Sequence, residues 1–502
     1  MACKKHAERY MNIMAKALQM VPKDSHTCNQ LFADQNYDEI FTFTKTQLDA
    51  YLDNDDEIFL NNLEKFLQDI IKETDKNRRE IMSFAFCQWI DLKITYMRDE
   101  NTINGIRAYF SLFPLVPLRS NGNVIIGSLN TNYKETGICI NPKFPVTSSH
   151  IKYNDEIIKR PLSNRDIFEG INGSLTNCSY IPYSNKNIVK NIILSDTFLN
   201  HKEKPIFCIA FSPISNRTDL IQLENQIIER DGRKLNGEIV KPLECAEELL
   251  ERLKNDWTLA GEMNADIFFA PELLGTALSE ENDKIYNKII FDCSSSNLSN
   301  SKSVPILTIL PSYWINNCNS STIVDHDGFI LAKQEKHIPF VDKKAHKIEA
   351  LKEKSEWTTI LLHIPNVHRI AVVICAEFLS DQERIQKFIC GSLGATLLIV
   401  PSYSRGEQDF INALPGLKCY GTTIIWGNCC GAVTSKEKAI GGCGIAGTSQ
   451  TIAFGSRCNC DFTCQNIKAC VFTVNIPLDF ELSKTRENIQ KEMVTHTIEK
   501  LA

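Results

Sequence analysis

The chain has 502 residues and a net charge of −6, from 55 Lys and Arg against 61 Asp and Glu. That balance excludes a global basic surface that would draw in nucleic acid or anionic membrane by net attraction. With 43% hydrophobic and 23% charged residues, the chain also stands apart from disordered and collagen-like classes, and at roughly 150 residues per domain the length suits about three units, or one large α/β domain with an appendage.

The segment from Met1 to Tyr10 carries early positive charge, but no apolar run of about 7–15 residues follows it as a secretory signal requires. The longest apolar runs, Ile370 to Ala376 and Ala395 to Pro401 with one Thr, fall far short of the roughly 18 residues needed to cross a bilayer. The expectation is a cytoplasmic protein without a membrane segment. Nineteen cysteines in such a chain point to reduced thiols or a catalytic thiol rather than a disulfide framework.

The first hundred residues favour helices. Leu63, Phe66, Leu67, Ile70 and Ile71 recur at three- and four-residue steps behind Asp55, Asp56 and Glu57, and a second such stretch holds Ile81, Phe84, Trp89, Ile90 and Ile94. Between about 105 and 200 six prolines, among them Pro114, Pro142 and Pro182, punctuate short apolar pieces, which predicts irregular structure with short strands. Residues 1–202 read as a mainly helical packing or oligomerisation region more readily than as a ligand-recognition domain. They hold no constellation that suggests chemistry, and they are free to bind a protein partner that the sequence does not identify.

From Pro205 onward short apolar runs alternate with amphipathic helices, as in sheets buried beneath helical layers. Strands are predicted at Ile206–Phe211, Ile267–Ala270, Ile306–Leu310, Ile370–Ile374, Thr396–Val400, Thr422–Trp426, Ser449–Phe454 and Ala469–Val474, with a helix over 243–258 that follows Pro242 and shares Leu243, Ala246, Leu250, Leu253 and Trp257 on one face. The natural division is one catalytic-sized α/β domain over 203–482, followed by a tail or helix over 483–502.

Three reactive side chains stand at or beyond apolar strand-like segments of this domain. Glu272 follows Pro271 and the run Ile267-Phe268-Phe269-Ala270, where proline stops the ladder and a carboxylate can serve as a base. Lys336 precedes an apolar loop after the Asp327-Gly328 turn. Cys375 is delivered to the end of Ile370-Ala371-Val372-Val373-Ile374, with Glu377 two residues on. Each has an ordinary alternative when taken singly: a solvated or capping glutamate, a surface lysine, a buried structural cysteine.

Taken jointly, and in this order and spacing, they resemble the nitrilase, or carbon–nitrogen hydrolase, superfamily. The resemblance covers about 203–482. It continues through Gly394–Ser402, Trp426-Gly427-Asn428 and Gly444–Ser449, and it implies a four-layer αββα sandwich. The family's usual glutamine is missing from Phe207–Ser212, residue 376 is Ala where a bulkier side chain is common, and either Asp342 or Glu349 answers to a second carboxylate, with Glu349 preferred. The resemblance further implies that Cys375 is the nucleophile of a thioester mechanism and Glu272 its base. It gives Lys336 and the backbone N–H of Ala376 the oxyanion, calls for no metal or organic cofactor, and makes the substrate a small amide or nitrile in a possible homo-oligomer.

An acyltransferase using the same thioester, or a non-catalytic scaffold of the same fold, are the alternatives. A Cys–His enzyme built on His337, His363 or His368 explains less, because it leaves Glu272 and Lys336 idle. Cys458, Cys460, Cys464 and Cys470 have a spacing able to ligate zinc, yet lack paired C-x2-C knuckles, so a reduced cluster is favoured. Cys429, Cys430 and Cys443 read as core or pocket lining. No phosphate-loop or nucleic-acid motif is found.

Overall fold

The computed structural model describes residues 2–22, 25–51, 56–96, 115–121, 124–129, 132–133, 138–143, 172, 175, 178–182, 187–194, 206–214, 221–230, 232–242, 247–278, 304–342, 344–364, 367–415, 421–433, 438–445, 451–456, 467–477 and 493–500. The chain opens with five helices: α1 (Ala2–Met20), α2 (Ser25–Phe32), α3 (Tyr37–Asp49), α4 (Asp56–Lys72) and α5 (Lys76–Tyr96). In α4 the residues Leu60, Leu63, Leu67 and Ile70 bury one stripe, and Lys72 in the last turn suits the helix dipole. Every residue of α5 from Ile81 to Asp91 is buried, as expected of a helix surrounded by its neighbours.

Two large sheets follow. One has nine strands in the order Leu115–Asn121, Val124–Leu129, Asn187–Leu194, Trp357–Ile364, His368–Val372, Leu397–Ser402, Thr423–Asn428, Ala439–Gly444, Thr451–Ser456. The other runs Tyr313–Ile315, Cys318–Asp325, Leu307–Ile309, Ile267–Phe269, Ile206–Phe211, Ile467–Pro477, Val494–Lys500, with Ile330–Glu335 also paired to Cys318–Asp325.

Alternation along the strands sends side chains to both faces of each sheet. Phe207, Ile209, Phe211 and Phe269 share one buried cluster with Leu362, Ile370, Val372, Ile399 and Ile425 from the other sheet. Each such side chain contributes roughly 1.5–3 kcal/mol when fully buried. The intervening Cys208, Ala210 and Phe268 pack with Leu249, Leu253 and Trp257 of α6 (Glu247–Glu262). Ala371, Val373, Leu398 and Ile424 pack with Phe378, Ile389 and Phe410.

All eight predicted strands overlap strands of these sheets, and α6 lies over the predicted helix, whose first residues 243–246 fall outside the described set. Two findings differ from the sequence expectation. The ladder crosses residue 203: Asn187–Leu194 pairs in parallel with Trp357–Ile364, from Asn187↔Trp357 to Ile193↔His363. Where a tail or helix was expected, Val494–Lys500 is a strand antiparallel to Ile467–Pro477, because Val494, Thr495, Thr497 and Ile498 are β-branched and favour the pleat. Among the described residues, no helix is long and apolar enough to cross a membrane.

Candidate active site

Glu272, Lys336 and Cys375 come from strands of the two facing sheets. Ile267–Phe269 lies parallel between Ile206–Phe211 and Leu307–Ile309. Pro271 has no N–H to continue the ladder, and the chain turns there, with Leu273 at φ 67°. Lys336 follows strand Ile330–Glu335, and its N–H donates to the Asn319 carbonyl at 2.8 Å.

Cys375 sits past strand His368–Val372 and caps the short helix α7 (Ala376–Ser380), with φ 49° and ψ −117°. A non-glycine residue in such a conformation costs on the order of 1–3 kcal/mol and persists when its surroundings over-determine it. Here the Cys375 N–H donates to the Pro401 carbonyl at 2.9 Å, and the Cys375 carbonyl accepts from Phe378 at 2.9 Å.

The charged side chains form one buried cluster. Lys336 Nζ donates to Glu272 Oε1 at 2.8 Å and to Glu349 Oε2 at 2.6 Å. Asn319 Nδ2 donates to Glu272 Oε1 at 2.8 Å, and Ser312 Oγ holds Asn319 Oδ1 at 2.7 Å. The Tyr403 N–H donates to Glu272 Oε2 at 3.1 Å, and the Phe340 N–H to Glu349 Oε2 at 2.8 Å. The ammonium has three N–H donors, so these contacts leave one for a ligand.

Burial works against the Lys336 charge, but Glu272 and Glu349 outweigh it and hold the ammonium protonated. Burial raises the Glu349 carboxyl, against the pull of Lys336. The Cys375 thiol is pushed up by burial and further by the Glu272 carboxylate, while Lys336 and the Tyr403 N–H favour the thiolate. At rest the sulfur therefore keeps its proton and has an acceptor beside it.

Of the two acids weighed for the second carboxylate, Glu349 is the one that contacts Lys336. Asp342 instead accepts the N–H groups of Lys344 and Ala345, both at 2.9 Å, and these hold its carboxyl below the ordinary range. Ala376 follows Cys375 directly and begins α7.

The three histidines are engaged elsewhere: His337 with the Thr358 carbonyl, His363 with Asn191 and His368 with Thr396. Cys458, Cys460 and Cys464 lie outside the described residues, while Cys470 lies 3.2 Å from His496. Cys429, Cys430 and Cys443 are buried among apolar side chains. Among the described residues, Asp325, His326 and Asp327 bring possible ligand atoms within 4.8 Å of one another, and Asp325 there caps the turn through the N–H groups of Asp327 and Phe329.

Asn319, Ser312 and the N–H groups of Tyr403 and Phe340 were not singled out from sequence. Asn319 stands in a strand, where asparagine is depleted, and main-chain donors leave no mark in residue identity.

The fold and site thus define a double-sheet α/β protein with an acid–ammonium–acid cluster at a thiol. No family model matches the chain, and no curated protein does. Solved structures similar to it include an amidase from Nesterenkonia sp., at 15% identity over 57% of this chain and 95% of that one, with a TM-score of 0.36. A variant of that amidase after Michael addition of acrylamide at its active-site cysteine matches at 14% identity over 57% and 99%, with a TM-score of 0.33. A further variant, from the nitrilase superfamily, matches at 14% over 57% and 97%, with a TM-score of 0.34. At those scores the likeness adds no weight to the chemistry, which rests on the side chains of this chain.

Proposed function

We propose that the chain is a carbon–nitrogen hydrolase of the nitrilase type, acting on a small amide or nitrile through a thioester on Cys375. The observation that carries this reading is the buried cluster of Lys336 between Glu272 and Glu349, whose charges act on the Cys375 thiol at a strained turn. Two sheets sharing a buried inner cluster, each with helices packed on its other face, support an αββα arrangement.

For an amide, Glu272 takes the thiol proton as sulfur attacks the carbonyl carbon. The oxyanion that forms is held by the Lys336 ammonium and the Ala376 N–H, a donor of this kind contributing about 3–4 kcal/mol. Glu272 returns the proton to nitrogen, the C–N bond breaks, and amine or ammonia leaves behind a thioester. Water then loses a proton to Glu272 and attacks the same carbon, the C–S bond breaks, and the thiol is restored with release of the acid. Glu349 keeps Lys336 protonated and aimed throughout.

The test is amine or ammonia release across a panel of amides and nitriles by wild type and Cys375→Ala. Release that depends on Cys375 supports the reading. Equal release by both proteins, or none from any substrate, contradicts it.

A further inference from the structure

A second set of buried and half-buried side chains borders the site and is not consumed by the hydrolytic cycle. Three consecutive residues at the start of strand Trp357–Ile364 hold it together. The Trp357 ring stacks on His337, with centroids 5.8 Å apart and planes 9° apart, and the guanidinium carbon of Arg384 lies 5.2 Å from the centre of the Trp357 ring. The Thr358 carbonyl accepts from His337 Nε2 at 3.0 Å and from Gln334 Nε2 at 3.1 Å. Because a carbonyl only accepts, His337 carries a proton on Nε2. Thr359 Oγ1 accepts from Arg384 Nη2 at 2.9 Å.

Arg384 Nη1 in turn pairs with Glu377 Oε1 at 2.9 Å and approaches Asp381 Oδ2 at 3.8 Å. His337 follows Lys336 directly, and Glu377 stands two residues beyond Cys375. One strand start therefore grips both the segment carrying the ammonium and the turn carrying the sulfur.

Burial gives the ion pair its consequence. The Arg384 and Glu377 side chains are 8% and 2% exposed, and neither Glu377 Oε2 nor Arg384 Nε has a hydrogen-bond partner among the described residues. A buried pair contributes little net stability compared with apolar residues of the same shape, but removing one member strands the charge of the other. What such a pair does supply is placement. The Glu377 N–H donates to the Ile374 carbonyl at 3.2 Å, so the residue anchored by Arg384 also closes the turn in which Cys375 holds its left-handed backbone.

We infer that Trp357, Thr359, Arg384 and Glu377 form a positioning bracket that fixes Cys375 relative to Lys336 and holds the strained nucleophile turn in its reactive geometry. The inference rests on the hydrolase reading above. None of the four touches the reacting atoms, so they act through Cys375 and Lys336. The charged groups that act on the thiol are Glu272 and Lys336 from the facing sheet, while Glu377, Asp381 and Arg384 pair with one another on the helix that follows Cys375 and the residues after it.

The test is the pH dependence of Cys375 alkylation by iodoacetamide, located by peptide mass, together with steady-state amide turnover. It uses full-length wild type, Arg384→Met, Arg384→Lys, Thr359→Val and the double variant Glu377→Gln/Arg384→Met. Without Arg384 the Glu377 carboxylate is left buried and uncompensated two residues along the chain from Cys375, so the alkylation midpoint rises by about one pH unit. In the same variant kcat falls by about tenfold at unchanged KM. Removing Glu377 as well brings the midpoint back toward wild type without restoring kcat, and Arg384→Lys keeps the midpoint while recovering part of kcat.

Thr359→Val is the milder variant, with a native midpoint and kcat lower by about threefold. A folded Arg384→Met protein with wild-type midpoint and kcat overturns the bracket, even if its melting temperature drops. Where Arg384→Met does not fold, wild-type kcat in Thr359→Val overturns it. If Cys375 of the wild type labels no faster than the other buried thiols, the hydrolase reading itself fails and the bracket with it.

Discussion

Two buried thiols in this chain stand beside a carboxylate and within reach of a lysine, and they differ in what surrounds them. Cys178 opens strand Cys178–Pro182, and both its N–H and its thiol donate to Asp91 Oδ1, at 2.9 and 3.0 Å. Burial raises its thiol well above the ordinary range, Asp91 adds to that, and Lys143 opposes. A thiol, a carboxylate and a lysine also meet at Cys375, where the acid is Glu272.

The difference lies in the cation and the backbone. Lys143 Nζ is taken up by the carbonyls of Asn172 and Leu175, at 2.5 and 3.3 Å, whereas Lys336 is held by two carboxylates with a donor to spare. Cys178 sits fully buried in the core built with the helices, whereas Cys375 sits on a left-handed turn at the head of a helix. A thiol, an acid and an ammonium do not suffice. The turn and the carboxylate-held cation are what set Cys375 apart as the proposed nucleophile.

The sharpest way to break this comparison is to remove each sulfur in turn. Cys375→Ala is expected to lower turnover by on the order of 10⁴-fold or more. Cys178→Ala should leave kcat in place and lower stability by about 1–3 kcal/mol, since it deprives a buried carboxylate of a donor. Loss of turnover in a folded Cys178→Ala protein would erase the distinction.

Glu272→Gln removes the proton acceptor and is expected to lower kcat by about 10²–10⁴-fold. Lys336→Met should lower kcat by about 10²–10³-fold through the lost oxyanion contact, and its uncompensated carboxylates should lower the urea midpoint, a buried pair broken on one side costing about 3–5 kcal/mol. Next comes Glu349→Gln, with a loss of about tenfold in kcat, against none for Asp342→Asn, whose carboxylate only caps a turn. Equal effects of these last two would remove Glu349 from the site.

A last effect, on stability and not on turnover, concerns how the amino-terminal part is fastened to the sheet of Cys375. His363 Nε2 donates to Asn191 Oδ1 at 2.8 Å, and Asn191 Nδ2 donates to Asn141 Oδ1 at 2.7 Å. Burial, helped by Arg369, lowers His363 to about 3. Its folded pKa lies below the unfolded value near 6.5, so unfolding takes up a proton between those limits. Stability is therefore complete above about pH 6.5 and declines as pH falls toward 3, by at most about 1.4 kcal/mol per unit from this group. His363→Gln should flatten that part of the urea midpoint profile, and an unchanged slope would show that another group governs it.

The parts of the molecule that sequence made legible are those where one physical demand dominates. Strands such as Ile206–Phe211 and Leu397–Ser402 are almost wholly buried and read as continuous apolar runs. The Cys375 turn is marked by a cysteine ending such a run. Strand Cys318–Asp325 was hidden because its buried residues include Asn319, Ser320, Ser321 and Thr322, whose polarity is satisfied inside the fold, as where Ser321 Oγ donates to the Leu310 carbonyl at 2.7 Å.

The hairpin of Ile221–Arg230 and Arg233–Pro242, which pairs with the Glu349 strand Lys347–Glu349, was hidden for the opposite reason. Most residues of Ile221–Arg230 are exposed or half-exposed, so no hydrophobic period marks them. The strand Asn187–Leu194 finds its partner far along the chain, and local pattern carries no signal for that pairing. Asn319 and Arg384 belong to this last kind, because their roles exist only once distant segments meet.

The most direct measurement of the central claim is the intact mass of the protein quenched during turnover of an amide, with the modified peptide then sequenced. The expected result is an acyl mass on the peptide containing Cys375 that is absent from Cys375→Ala. An acyl mass on another residue, or turnover with no adduct on Cys375 under conditions that preserve thioesters, would contradict it.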